Sequence, residues 1–374
     1  MKEYTISIRN YILRFLYKTS LQKIFFLIDP EVIHDRMLKV GEFLGSNVVG
    51  RNITSVFFSY SNKSLEQKIL GIKFANPVGL AAGFDKDARL TDILPSVGFG
   101  FAEVGSITGE VCSGNPKPRL WRLKKSQSLV VNYGLKNEGC ETIAKRLKRK
   151  TFAISIGTNI AKTNSPKTVN VESGIADYVK AYKSFTDIGS FFTINISCPN
   201  AYGGKPFEEA SRLEELLLQI DNIPTKKPVF LKISPDLTRH QVDRITQVAS
   251  RHQVSGFVCS NLTKNRKSKK ILDKKIPSEG GMSGKVVEDL TNELIAYVYK
   301  KTKGKLVIIG CGGVFNAADA YKKIKLGASL VEMITGMIFE GPQVVSEINQ
   351  GLVRLLKKDG FNRLSQAVSV GIKD

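Results

Sequence analysis

The sequence predicts an α/β chain, a (β/α)8 TIM barrel with an N-terminal helical extension. Eight short apolar runs recur between residues 77 and 334, each interval leaving room for a helix. Repeated strand–helix units imply a parallel sheet, and eight of them favour a closed barrel. The runs end in polar or glycine-bearing signatures, as expected where strand ends meet at one mouth. Residues 1–64 read differently, as a helical, aromatic and basic lobe with a linker. Residues 65–374 read as the barrel.

Within the lobe, Tyr11–Ile28 carries Ile12, Phe15, Leu16, Leu21, Ile24 and Leu27 interrupted by Arg14, Lys18 and Lys23. This predicts an amphipathic helix with a basic wet side, suited to a membrane surface. Asp29-Pro30 predicts a stop and a restart, since Asp caps and Pro fits the first turn. Glu31–Leu44 continues as a second helix, and Asn47–Ser64 reads as linker. The predicted strands are Pro77–Ala81, Gly100–Val104, Phe152–Ile156, Phe192–Ile196, Val229–Ile233, Gly256–Cys259, Leu306–Ile309 and Leu330–Ile334. Strands apolar throughout are those covered on both faces. Intervening helices are predicted at Ile143–Arg149, Leu213–Ile220, Gln241–Ser250, Glu288–Lys300 and Ala317–Leu326.

Hydrophobic residues make up 42% of the 374, and charged residues 24%, which excludes a mostly disordered chain. No run approaches about 18 apolar residues, so no spanning helix is expected. The start lacks a signal-peptide pattern. The formal net charge of +22 asks for an anionic partner or reflects a lysine-rich background. Cys112, Cys140, Cys198, Cys259 and Cys311 form no C-x-x-C, and His34, His240 and His252 are the only histidines. A disulfide framework, a metal site and a Ser-His-Asp mechanism are therefore not expected. The basic stretch Lys264–Lys275 raises nucleic-acid binding, but no recognition helix or RNA-binding motif accompanies it.

The strand ends carry the chemistry. Gly310-Cys311-Gly312-Gly313 before a helix, and Thr335-Gly336 after the last strand, suit a phosphate at the loops that usually bind one in such barrels. Asn159, Asn195, Asn200 and Asn261 offer paired donors and acceptors for a planar ring bearing imide and carbonyl groups. Lys86 and Lys232 supply positive charge for a carboxylate or a flavin. Cys198, after a strand and before Pro199, is the candidate base, its pKa lowered by nearby positive charge.

Several motifs carry a resemblance over roughly residues 10–355. They are Asn76-Pro77-Val78-Gly79-Leu80-Ala81-Ala82-Gly83-Phe84-Asp85-Lys86-Asp87, Gly114-Asn115-Pro116-Lys117-Pro118-Arg119-Leu120-Trp121-Arg122-Leu123, Ile194-Asn195-Ile196-Ser197-Cys198-Pro199-Asn200, Lys232-Ile233-Ser234-Pro235-Asp236-Leu237 and Ile309-Gly310-Cys311-Gly312-Gly313. With Leu27-Ile28-Asp29-Pro30-Glu31-Val32-Ile33-His34, the chain resembles dihydroorotate dehydrogenases of the membrane-associated, quinone-reducing class.

The resemblance implies oxidation of dihydroorotate to orotate in de novo pyrimidine biosynthesis, with flavin mononucleotide (FMN) as cofactor and a quinone as acceptor. It further implies a peripheral position on the cytoplasmic face of an anionic membrane. Lys86, Asn132, Asn195, Asn200 and Asn261 would hold the substrate. Ala82, Gly83, Ser106, Asn159, Asn195, Lys232, Ser260 and Gly284 would line the flavin, with Gly313, Ile334 and Thr335 at its phosphate. Cys198 would take the C5 proton while the C6 hydride leaves for the flavin, and His34, Arg119 and Arg122 would line the quinone site.

Three residues depart from the family pattern. The quinone class typically uses Ser as base, whereas soluble classes use Cys, as at Cys198. Asn132-Tyr133-Gly134 is one residue shorter than usual, and Leu262 stands where a hydroxyl residue normally follows the strand-end Asn. Cys198 thus keeps open a soluble acceptor such as fumarate, against which the N-terminal lobe argues.

Overall fold

The computed structural model describes residues 2–372. Eight parallel strands close a barrel in chain order: β1 (Val78–Leu80), β2 (Phe101–Ile107), β3 (Ser155–Ile160), β4 (Phe191–Asn195), β5 (Val229–Ile233), β6 (Val254–Cys259), β7 (Val307–Cys311) and β8 (Leu330–Met333). Closure is made by β8 on β1, with Val331 opposite Val78. Helices fall in the predicted intervals, for example Glu288–Thr302 and Ala317–Lys325.

One strand lies later than predicted. β3 begins at Ser155, so Gly157, Thr158 and Asn159 belong to the strand and do not follow it. Phe152 and Ile154 are apolar but only half-buried, and pack on the core from outside the sheet. Similarly, Gly105-Ser106 lies inside β2.

The amino end of the barrel is closed by a hairpin, Gln67–Ile69 with Ile72–Phe74, which the sequence did not announce. Phe74, Phe101, Phe191, Phe230, Val258, Ile309 and Leu330 fill that end. The aromatic layer depends on absent side chains: a Cβ on Gly79 would lie 2.4 Å from the Phe101 ring, and one on Gly157 2.2 Å from the Phe191 ring. At the carboxyl end a three-stranded antiparallel sheet was also unforeseen, with Ser128–Val131 paired between Leu120–Leu123 and Gly281–Gly284.

The N-terminal lobe starts with α1 (Lys2–Leu16), which runs through a π-helical turn (Tyr17–Leu21) into α2 (Gln22–Leu27). Asp29 caps α3 (Pro30–Gly45) by accepting from the Glu31 and Val32 amides, as the Asp-Pro pair predicted. The expected linker is mostly helical: α4 (Val48–Phe58) is capped by Asn47. Its Gly50 packs so closely on the Leu44 backbone that a Cβ would lie 2.4 Å from the Leu44 carbonyl oxygen.

The long first helix is oriented opposite to the usual rule. Its polar side faces the barrel: Asn10 donates to Ser346 Oγ (3.1 Å), and Arg14 and Lys18 pair with Glu340 (2.7 and 2.8 Å). Arg14 and Lys18 thus point at the protein and not, as predicted, to a wet outer side. Tyr11, Phe15, Leu16, Leu21, Ile24 and Leu27 stay exposed, Leu27 at 86%. Among the described residues, no helix is long and apolar enough to cross a membrane.

Candidate active site

A large cleft, enclosing about 1260 Å³ of space partly open to solvent, occupies the carboxyl ends of the strands beneath the lobe. One wall is backbone and glycine: Ala81–Gly83, Gly284, Gly312–Gly313 and Ile334–Gly336. Gly83 has φ +105°, and a Cβ there would meet nothing within 4 Å, so it faces open space. Gly313 has φ +71°, in the left-handed region that favours glycine.

The lining also has a polar part. Lys86, Asn195, Cys198, Asn200 and Asn261 all line the cleft. Asn261 Nδ2 donates to Asn195 Oδ1 (3.0 Å), and Asn195 Nδ2 donates to Ser106 Oγ (2.9 Å). Asn200 Nδ2 donates to the Val131 carbonyl (2.7 Å). The Lys86 ammonium lies 3.9 Å above the Tyr133 ring and 3.4 Å from His34 Nε2. Burial, aided by Lys136, lowers Lys86 to about 8. Burial and the two lysines hold His34 well below its ordinary value, so the imidazole is neutral.

Beneath the cleft, Lys232 stands between two strand-borne carboxylates, 3.5 Å from Glu103 on β2 and 3.6 Å from Glu332 on β8. Burial opposes its charge, but Cys311, Glu103 and Glu332 together raise its pKa. Burial and Glu103 push Glu332 well above the carboxylate range. Lys232 thus faces two strand-borne carboxyl groups, of which Glu332 holds its proton more readily than an ordinary carboxyl does. Glu103 also accepts from Asn159 Nδ2 (3.0 Å) and from Thr193. Neither Glu was foreseen, because each sits in a strand that otherwise reads as apolar. A lone acid inside such a run is itself the clue, since burying it requires a partner.

Four predicted residues lie outside the cleft lining. Asn159 is fully buried behind it, bonded to Ser106 and Glu103. Asn132 points away while its neighbours Val131 and Tyr133 line the cleft, and it bonds Asn115 (3.0 Å) and Glu279 (3.2 Å). Arg119 is a buried clamp: Nε and Nη2 grip Glu31 of α3, at 2.8 Å for Nη2, and Nη1 donates to the Ser113 and Asn115 carbonyls. Arg122 donates to the Ile28 carbonyl (2.8 Å) and lies 4.8 Å over the Phe26 ring. Of the three residues expected at a quinone site, His34 alone lines the cleft.

Cys198 faces both the cleft and a smaller pocket beside Lys162, Tyr178 and Lys205. Contrary to expectation its thiol is pushed up, to about 11: burial outweighs the attraction of Lys205 and Lys264. The neighbouring Ser197 is turned away from that role. It is fully buried, donates to the Lys232 carbonyl (2.7 Å) and accepts from Asn261 (3.0 Å).

Barrel, mouth cleft and helical cover together define a (β/α)8 protein with a strand-end ligand site. A family model for dihydroorotate dehydrogenase matches residues 64–356, and the chain belongs to that family. The "Dihydroorotate dehydrogenase (quinone)" of Trichodesmium erythraeum is 34% identical, over 92% of this chain and 95% of its own. The protein of the same name from Gloeobacter violaceus is 37% identical, over 94% and 98%. The crystal structure of Eimeria tenella DHODH in complex with ferulenol superposes with a TM-score of 0.82 at 28% identity, over 92% of this chain and 96% of that one. Its ligand-free form gives 0.81 at 29%.

Proposed function

We propose that this chain oxidises dihydroorotate to orotate in de novo pyrimidine biosynthesis, using FMN and delivering the electrons to a quinone at a membrane surface. The observation that carries this is the convergence of Lys86, Asn195, Cys198, Asn200 and Asn261 on one cleft, part of whose lining is bare glycine backbone. Quinone-class relatives over nearly the whole chain, lobe included, support the acceptor.

The residues present suit FMN. Gly83 opens flat space that a side chain would fill. Lys232 supplies a buried positive charge at the same wall. Ala82, Gly83, Ser106, Asn195, Lys232, Ser260 and Gly284 would hold the ring system, with Asn159 fixing Ser106 from behind. Gly313, Ile334 and Thr335 would hold the phosphate. When bound, FMN supplies a hydride acceptor.

Lys86 pairs with the substrate carboxylate, and its burial gives that contact weight. Asn195, Asn200 and Asn261 orient the ring amides. Cys198 Sγ removes the C5 proton as the C6 hydride leaves, which completes the two-electron oxidation to the carbon–carbon double bond of orotate. Lys205 and Lys264 are the charges that favour its thiolate. His34 marks the side from which a quinone reaches the cleft, between α3 and the mouth sheet. Arg119 and Arg122 keep that passage in shape by tying the sheet to Glu31 and Ile28. The exposed apolar side of α1 and α2 rests in a bilayer surface.

Cys198 favours a second reading, in which a soluble acceptor such as fumarate replaces the quinone. A steady-state assay with dihydroorotate and a short-chain quinone, fumarate or NAD separates them. Fastest turnover is expected with the quinone, and fastest turnover with fumarate would overturn the acceptor assignment.

A further inference from the structure

The membrane reading leaves the basic loop 264–275 without a role, and its structure supplies one. Part of the loop is internal. Ile271 and Ile276 pack against Leu123, Val130 and Met282 of the mouth sheet. Asp273 accepts from Ser126 N and Oγ (2.8 and 2.6 Å). Lys270 pairs with Glu288 and Asp289 (3.0 and 2.9 Å), and Arg266 donates to the Gly280 carbonyl (2.7 Å). These anchors present the rest outward. Leu272 is 61% exposed between its two anchored neighbours. Lys269, Lys274 and Lys275 are exposed beside it. An apolar residue held out by a fixed loop, with exposed lysines close to it along the chain, is poorly explained by folding alone.

The loop is also continuous with the helical lobe. Asp273 binds the turn that carries Lys124 and Lys125, both exposed. The Lys124 ammonium lies 5.9 Å over the ring of Phe26 in α2. The neighbours of Phe26 along that helix, Ile24 and Leu27, are the exposed apolar residues already noted. Lys124 and Lys125 thus lie between α2 and the loop, with Phe26 itself packed inward on Phe339.

We propose that loop 264–275 is a second membrane contact, in which Leu272 enters the interface and Lys269, Lys274 and Lys275 meet anionic lipid headgroups. This rests on the membrane reading of the lobe and deepens it: the barrel itself touches the bilayer, and two contacts fix its orientation where one helix would leave it free to rotate. Charge complementarity selects a bilayer, since exposed apolar and basic groups alternate there as at membrane interfaces.

The test is co-sedimentation of the full-length holoenzyme with phosphatidylcholine vesicles, with and without phosphatidylglycerol. The variants are Lys269→Gln/Lys274→Gln/Lys275→Gln, Leu272→Ser and, on α2, Ile24→Ser/Leu27→Ser. Each lysine removed should weaken binding to the anionic vesicles about fivefold, and binding to neutral vesicles little. Leu272→Ser should weaken binding to both. Turnover with a water-soluble quinone and the melting temperature should match the parent. Parental vesicle binding by both loop variants, with loss in the α2 variant, would overturn the loop contact and keep the membrane reading. Parental binding by all three would overturn both. Loss of binding to an RNA duplex, with vesicle binding intact, would assign the loop to nucleic acid instead.

Discussion

The barrel mouth and the N-terminal lobe each invert the usual arrangement of a water-soluble protein. The barrel buries Lys232, Glu103 and Glu332 where apolar side chains would pack. The lobe turns Asn10, Arg14 and Lys18 toward the protein and exposes Phe15, Ile24 and Leu27. Buried charge costs stability unless it is paired, and exposed apolar surface forgoes burial. Each region therefore departs from good packing in a way that the proposed function would use: a polar heterocycle and a flavin at the mouth, a hydrocarbon surface at the lobe. The two meet at the Arg119–Glu31 clamp and at His34 beside Lys86.

The largest expected effect breaks the mouth alone. Cys198→Ala should slow flavin reduction by dihydroorotate about 10²–10⁴-fold, the usual worth of a positioned base, and leave flavin reoxidation by quinone unchanged. Because a base acts deprotonated and this thiol titrates near 11, the parent rate should rise with pH into the alkaline range. Cys198→Ser should need still higher pH. Stopped-flow flavin reduction across pH measures all three, and a parental rate in Cys198→Ala would move the base elsewhere.

Arg119→Ala should break the seam between the regions. It removes the main partner of the Glu31 carboxylate, which is buried with 5% exposure and keeps only the longer contacts to Lys117 (3.5 Å) and Lys136 (3.9 Å), at a cost of about 1–3 kcal/mol. The readout is thermal melting, and an unchanged midpoint would restore Arg119 to a direct quinone role. Lys86→Ala and Asn195→Ala should each cost about 1.5–3 kcal/mol in the substrate half-reaction, roughly ten- to hundredfold in kcat/KM. Near-native turnover with flavin bound would remove them from the site. The smallest effect should come from Asn132→Ala, which lies outside the cleft. A change in kcat/KM of less than about twofold is expected, and a hundredfold loss would show that Asn132 swings inward to the substrate.

The sequence by itself determined the eight-fold repeat, the Asp29-Pro30 helix restart and the glycine turns after the last two strands. These depend on local periodicity, on capping and on what glycine permits, all properties of neighbours in the chain. It also brought Lys86, Asn159, Asn195, Cys198, Asn200, Lys232 and Asn261 forward as a group, because parallel strand ends share one mouth, and all but Asn159 line the cleft. Tertiary structure decided the rest. Whether Asn132 or Tyr133 faced the cleft depended on pairing with strands about 10 and 150 residues away. That Arg119 would be consumed by Glu31, and Arg14 and Lys18 by Glu340, depended on partners 88 to more than 300 residues distant. The Cys198 thiol was expected to be acidic from the basic residues near it. Its high pKa followed from the atoms the fold packs around it, which outweigh Lys205 and Lys264, a quantity no local pattern contains.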